Sequence, residues 1–373
     1  MRILAVDIGT GTQDILLFDS SGPIENSPKL VMPSPTAIAA RRIRAATESR
    51  RAVVVRGVVA GGGPSAWALG DHLRAGLPAF ATPDAARTID DDLERVAADG
   101  VTLVSDDEAA TIDGDQVVLR DLDLEAIRTA LGAFDVDTRF DGIAVGVFDH
   151  GAAPPDVSDR VFRFEHLARV LADDGDGRAF AALPRALPAQ LTRARAVLDA
   201  VDVDVPAVFM DNGPAAALGA LHDPEVARHP RRAVLNVGNM HVLCFVLEGT
   251  RVEAVFEHHT GEVTPEQLAG FVRDLLGGRL TNEAVFSSMG HGALYAAGSG
   301  DRIKPVTMLA VTGPQRKRMW PALQAAGLPP VHAAAPHGDM MISGCFGLLD
   351  GFAYRVPAAR EAVAGLHTTD RRG

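Results

Sequence analysis

The segment Asp7-Ile8-Gly9-Thr10-Gly11-Thr12-Gln13-Asp14 gathers residue types that can hold a phosphate tail. Gly9 and Gly11 let backbone N–H groups approach an anion closely. Thr10 and Thr12 bring hydroxyls, with Gln13 beside them. Asp7 ends an apolar run, ILAVD, and is placed to hold Mg²⁺ through water, because Mg²⁺ takes oxygen ligands and keeps much of its hydration shell. The same residues also fit a plain hairpin turn with an Asp–Gly cap, so the rest of the chain has to decide between the two.

Three later segments bear on it. MDNGPAAALGAL at 210–221 is followed by VLNVGNMHVLCFVLEG at 234–249, and VTMLAVTGPQ opens a long stretch over 306–352. In this order the four segments resemble the actin, hexokinase and heat-shock chaperone ATPase superfamily, whose fold is ribonuclease H-like. The layout is most similar to the chaperone ATPases, the sugar and acetate kinases, and the activator ATPases of radical or corrinoid enzymes. The resemblance implies ATP and Mg²⁺, with Asp7 at the metal. It makes Asn212, Gly213, Pro214 and Ala215 to Ala217 a connecting helix. It makes Asn236, Val237, Gly238, Asn239 and Met240 a second phosphate loop. Thr312, Gly313, Pro314, Gln315 and Arg316 match an adenosine-binding turn, with Arg316 able to stack on adenine. Met341, Gly344 and Gly347 match the helix after it.

The chain departs from that pattern in places. Asn236 stands where the superfamily usually has Asp, Asn239-Met240 where it often has more Gly, and Asp14 where several kinases and actin carry Lys. An acid at 14 repels a γ-phosphate unless a metal bridges them. The chain also resembles a family whose members carry a pyruvate formate-lyase activating label. That chemistry needs a CxxxCxxC cluster motif, and only Cys244 and Cys345 occur here. Both sit in apolar runs and read as buried thiols.

Two carboxylates are candidate bases. Asp149 follows the run GIAVGVF, where the superfamily orients the attacking water. Asp211 precedes the connecting helix, near where some sugar kinases place a base. Each also fits a helix or turn cap. His150 and His241 border the same region, and their spacing does not mark them as metal ligands. His258 and His259 are adjacent, so on a strand they face opposite sides. GGGP at 61–64 reads as a tight turn before a helix, or as a further anion nest facing the cleft, and Arg41, Arg42 and Arg44 as a solvated helix face rather than a phosphate site.

These residues need elements to position them. The pattern predicts α/β architecture: two similar ribonuclease H-like lobes, mixed sheets flanked by helices, and a nucleotide cleft between them. Strands are expected over 3–7, 15–18, 29–32, 52–59, 142–148 and 206–210. Further on, 232–247 and 251–257 read as paired strands, with short strands at 306–312 and near 331. Helices are expected over 36–50, 65–75, 84–98, 123–134, 188–200, 214–222, 265–276, 315–326 and 338–354. The hairpin at 2–19 recurs at 232–257 as an internal repeat. Residues 99–121 read as irregular or short-stranded, and 150–185 as a crossover or insertion. The expected lobes are 1–205 and 206–356, with a frayed tail over 357–373 ending in TTDRRG. A Gly-rich section runs through GSG at 298–300.

The chain has 373 residues, enough for two domains, and a formal net charge of −12. That balance argues against a nucleic-acid partner, which needs a basic face. No stretch of about 18 apolar residues suggests a membrane span, and the N-terminus lacks the pattern of a signal peptide, so a cytoplasmic protein is expected. Three functions fit: a slow Mg²⁺-dependent ATPase acting on a protein client through lobe closure, a small-molecule kinase using Asp149 or Asp211, and a non-catalytic nucleotide-binding module.

Overall fold

Two six-stranded sheets share one five-strand topology and differ in the sixth strand. In the first, the order across the sheet is Lys29–Pro33, Thr12–Asp19, Arg2–Ile8, Gly142–Val147, Ala207–Asp211 and Ala181–Ala182. In the second it is Gly292–Tyr295, Arg251–His259, His241–Glu248, Arg231–Val237, Leu309–Thr312 and Val331–Ala333. Each contains an antiparallel meander whose first strand then pairs in parallel with a strand from far along the chain. A second parallel strand completes the unit in both. The computed structural model describes residues 1–154, 156–172, 175–296 and 304–367. The segments GSG and TTDRRG lie outside the described residues, as do Pro155, Asp173 and Asp174 of the expected crossover.

The period-2 pattern of the first strand sorts its side chains between two cores. Ile3 and Ala5 face a core shared with Val234, Phe245 and Ala310 of the second sheet. Leu4, Val6 and Ile8 face the outer helices at Leu124–Gly132 and Thr192–Asp199. Between the sheets lie the helices Asn212–Gly219 and Ser343–Arg355. They cross at backbone distance. A Cβ on Gly219 would overlap the Ser343 carbonyl, and one on Gly347 would overlap that of Ala215. This is why glycine stands at both crossing points.

Several expectations change. The run 232–247 is not one strand. It breaks at Gly238–Met240 into Arg231–Val237 and His241–Glu248, giving a hairpin that matches the first one turn for turn. The expected helix over 84–98 is two short helices, Pro83–Ala86 and Leu93–Ala98. Residues 99–121 hold Val101–Leu103, a helix at Asp106–Thr111 and Asp115–Leu119. With Val53–Gly57 and Ala79–Ala81 those strands form a separate four-stranded parallel sheet between the third strand and Gly142. Within 150–185 lies a helix, Asp159–Leu171. The first sheet continues through Ala207–Asp211, past the lobe boundary expected at 205/206. Among the described residues no helix is long and apolar enough to cross a membrane.

Candidate functional site

The two glycine turns face each other across the gap between the sheets. In the first, the Gly9 N–H donates to the Thr12 carbonyl at 2.9 Å; in the second, Gly238 donates to the His241 carbonyl at 2.9 Å. A Cβ on Gly11 would overlap the Asn239 side-chain nitrogen, so the turns touch. A cavity of about 100 Å³ lies beside them, lined by Asp7, Thr10, Asp14, Asn236, Gly313 and Gly344 among others. Thr12, Gly238, Asn239 and Pro314 also line it.

Asp7 and Asp14 stand directly opposite each other in the register of the first hairpin. One oxygen of each, Oδ1, is buried and makes no hydrogen bond. Burial pushes the Asp7 carboxyl well above its usual range, and the charges of Asp14 and Asp211 add to it. Burial lifts Asp14 to about 7, against an opposing hydrogen bond from Thr12. Gly344 is required here: a Cβ would collide with the Asp7 carboxylate. Two unpartnered carboxylate oxygens side by side suit a divalent cation or a shared proton.

The adenosine-like turn closes the same cavity. Gly313 has φ 93°, a left-handed conformation that favours glycine, and a Cβ there would overlap the Val237 carbonyl. Gln315 reaches across to the second phosphate loop, its Nε2 donating to Asn239 Oδ1 at 2.9 Å. Arg316 folds back and donates from Nη1 to the Gly313 carbonyl at 3.0 Å. That bond uses one in-plane donor and leaves the guanidinium face open. Gln13 likewise points away, donating to the Pro33 carbonyl at 3.0 Å.

A larger cavity of about 570 Å³ adjoins on the other side of the turns and shares Gly9, Thr10, Asn212, Asn236, Gly238 and Asn239 with the smaller one. The inserted four-stranded unit supplies one wall through Gly61, Gly62 and Gly63. The opposite wall is His241, His259 and His291.

Asp149 borders this space, Asp211 lies behind it at the start of the connecting helix, and both have their oxygens engaged. Asp149 accepts from the Gly151 and Ala194 N–H groups, each at 2.8 Å. Burial still pushes its carboxyl upward. Asp211 caps its helix by accepting from Gly213 N at 3.0 Å and pairs with Arg163 at 2.7 Å.

Arg163 is the residue the sequence reading missed. It lies on the helix Asp159–Leu171, is 1% exposed, and donates to both oxygens of Glu257 at 2.9 and 2.8 Å. It also donates to the Asp149 carbonyl at 3.1 Å. One guanidinium thus joins the first sheet to the second. The helix period was readable in Phe164, Leu167 and Leu171, but a single Arg inside it gave no sign of being buried.

With this geometry in hand, the chain can be placed among known proteins. It belongs to the family described as "Putative pyruvate format-lyase activating enzyme (DUF1786)", whose model matches residues 60–318. Solved structures similar to it include a ROK hexokinase from Thermus thermophilus, at 14% identity and TM-score 0.36, covering 96% of this chain and 100% of that one. The activator of the 2-hydroxyisocaproyl-CoA dehydratase from Clostridium difficile, with bound ADPNP, matches at 9% identity and TM-score 0.37 over 97% and 98%. A ROK family glucokinase from Streptomyces griseus, in complex with glucose and AMPPNP, matches at 13% identity and TM-score 0.36 over 94% and 98%. Among curated proteins none matches.

Proposed function

We propose that the gap between the facing glycine turns binds a Mg²⁺–nucleotide, and that slow hydrolysis there drives lobe closure on a partner protein. The observation that carries this reading is the pair of buried, unpartnered oxygens of Asp7 and Asp14 between the turns. Those carboxylates would hold the cation, and the cation would neutralise developing phosphate charge. Backbone N–H groups at Thr10, Gly11 and Asn239, with the Thr10 and Thr12 hydroxyls, would orient the phosphates. Gly313 and Pro314 would border the nucleoside. Asn236 in place of an acid leaves one fewer charge opposing the phosphate tail. The lobes, which we divide after Asp211, must part for entry, since small-molecule pockets run to roughly 300–1,000 Å³ and this cavity has about 100 Å³.

Slow turnover is favoured because Asp211 is held by Arg163 and Asp149 by two backbone donors, so neither is a free base. A second reading, phosphoryl transfer to a small acceptor, is favoured by the 570 Å³ cavity that shares its wall with the turns. The family's description points elsewhere, to radical activation, which uses an iron–sulfur cluster on thiolates. Cys244 and Cys345 are both buried, on different elements, with thiols pushed up by burial. They do not fit such a cluster.

Calorimetric titration with ATP in Mg²⁺ and in EDTA tests the main reading. Mg²⁺-dependent binding by the wild type, weakened tenfold or more in Asp7→Asn, is the expected result. Equal binding in EDTA, or none at all, refutes it. ADP release that rises sharply with one metabolite transfers support to the acceptor reading.

A further inference from the structure

The second sheet gathers three histidines at one corner of the larger cavity. Each of His241, His259 and His291 offers one ring nitrogen, and these nitrogens lie within 4.8 Å of one another. Their rings pack together, with centroids 5.1 Å apart for His241–His259, 5.1 Å for His241–His291 and 4.5 Å for His259–His291. We propose that this corner is a binding site for a divalent transition metal of the zinc class, held by three imidazoles with its remaining positions open to the cavity. The inference stands apart from the nucleotide reading and uses different residues.

Three features of the fold build the cluster. The first is register. At the hairpin end Glu248 pairs with Arg251, and an irregularity between Val246 and Leu247 shifts the pairing by one residue. Without it His241 would lie opposite His258. With it His259 is the partner, and His258 points to the other face, where its Nε2 meets the Ser288 carbonyl at 2.9 Å. A bulge re-aiming a side chain next to a site is a recurring device.

The second feature is the turn that carries His291. Arg160 donates to the Phe286 and Gly290 carbonyls at 3.0 and 2.8 Å, and the His291 N–H donates to the Glu257 carbonyl at 2.9 Å. The third is support for the rings. His241 stacks on Phe148 with centroids 3.9 Å apart and planes 6° from parallel. His291 Nδ1 is buried without a hydrogen-bond partner, and the Glu257 carboxylate lies 3.5 Å from it. Arg163, the nearest buried cation, is neutralised by Glu257 and Asp211.

Tetrahedral zinc with Zn–N bonds of about 2.0–2.1 Å sets its ligand nitrogens roughly 3.3 Å apart. Small ring rotations of His259 and His241, which are only partly buried, would draw the nitrogens in. Three imidazoles favour zinc, cobalt, nickel or copper over Mg²⁺, which prefers oxygen. With three protein ligands the site keeps at least one position for water or for an oxygen donor on a cavity-bound molecule. Such a metal would polarise that donor as a Lewis acid.

Metal-stripped protein titrated with Zn²⁺ against a chromophoric chelator, and separately with Co²⁺, tests the site. The expected result is one equivalent of Zn²⁺ bound at micromolar affinity or tighter. Co²⁺ should give visible d–d bands of a four- or five-coordinate nitrogen-rich site, and Mg²⁺ should not compete. His259→Ala and His291→Gln should each weaken Zn²⁺ at least tenfold and abolish the cobalt bands. His229→Ala, remote on the other end of the sheet, should bind as the wild type. Circular dichroism confirms that each variant is folded, and His259→Ala, at a half-exposed strand end, serves if His291→Gln is not. Sub-stoichiometric Zn²⁺, or cobalt bands unchanged in a folded His259→Ala, overturns the proposal. Because the readout is metal alone, it is blind to whether ATP binds.

Discussion

Replacing Asp14 by Asn should stabilise the protein at alkaline pH while weakening its hold on a divalent cation. Asp14 is 7% exposed, and burial lifts its carboxyl from 3.8 to about 7. Between those two values the folded state keeps a proton that the unfolded chain has lost. Stability therefore falls as pH rises through this window, because unfolding releases the proton. Relative to a group with no shift, this carboxyl costs about 1.5 kcal/mol at pH 5 and about 4 kcal/mol at pH 8. Its contribution to the pH dependence is thus a loss of about 2.5 kcal/mol from pH 5 to pH 8. Asp7, also shifted upward, adds a trend of the same sign. Asn has nearly the same shape and no charge, so Asp14→Asn should flatten the curve and gain most of its stability at the alkaline end. Urea unfolding at both pH values measures this directly. Repeating it with millimolar Mg²⁺ should stabilise the wild type at pH 8 and leave the variant unmoved. Parallel pH curves for the two proteins, or a variant less stable at pH 8, would show that Asp14 is not held as the structure implies.

Arg163→Met leaves Glu257 and Asp211 buried without their shared cation, and unfolding should become easier by about 3–5 kcal/mol. Adding Glu257→Gln and Asp211→Asn should return much of that loss; no recovery in the triple variant would mean that packing, not charge, sets the cost. Gly219→Ala drives a methyl into the Ser343 carbonyl where the two central helices cross. It should cost at least 1–3 kcal/mol as overpacking does, and an unchanged melting temperature would disprove so close a crossing.

Much of the frame could be read from the chain because local signals and tertiary demands agree there. ILAVD and ILLF flanking a Gly/Thr turn can form little other than a hairpin, and its register then sets Asp7 opposite Asp14. The small residues at 212–219 and 343–355 announced a close helix crossing. The four-stranded insert was obscure because its strands have only three to five residues, too few for a period to emerge. The second glycine turn was matched as a phosphate loop, yet the expected strand 232–247 ran through it because its flanks are apolar on both sides. Arg316 bonds the Gly313 carbonyl of its own turn, an edge contact that no local sequence signal announced. The histidine cluster had no motif spacing, because it arises from a one-residue slip in strand pairing and from a turn some thirty residues further along.

Arg163 has a mechanical consequence as well as an electrostatic one. Its bonds reach Asp211 and the Asp149 carbonyl on one sheet and Glu257 on the other, all of them shielded from water. Pulling that joint apart would strand three charges in a dry interior. If the two sheets part, they should open like a book with its spine at Arg163. Hydrogen exchange should be slowest along the spine, and any ligand that opens the cover does so from the other side.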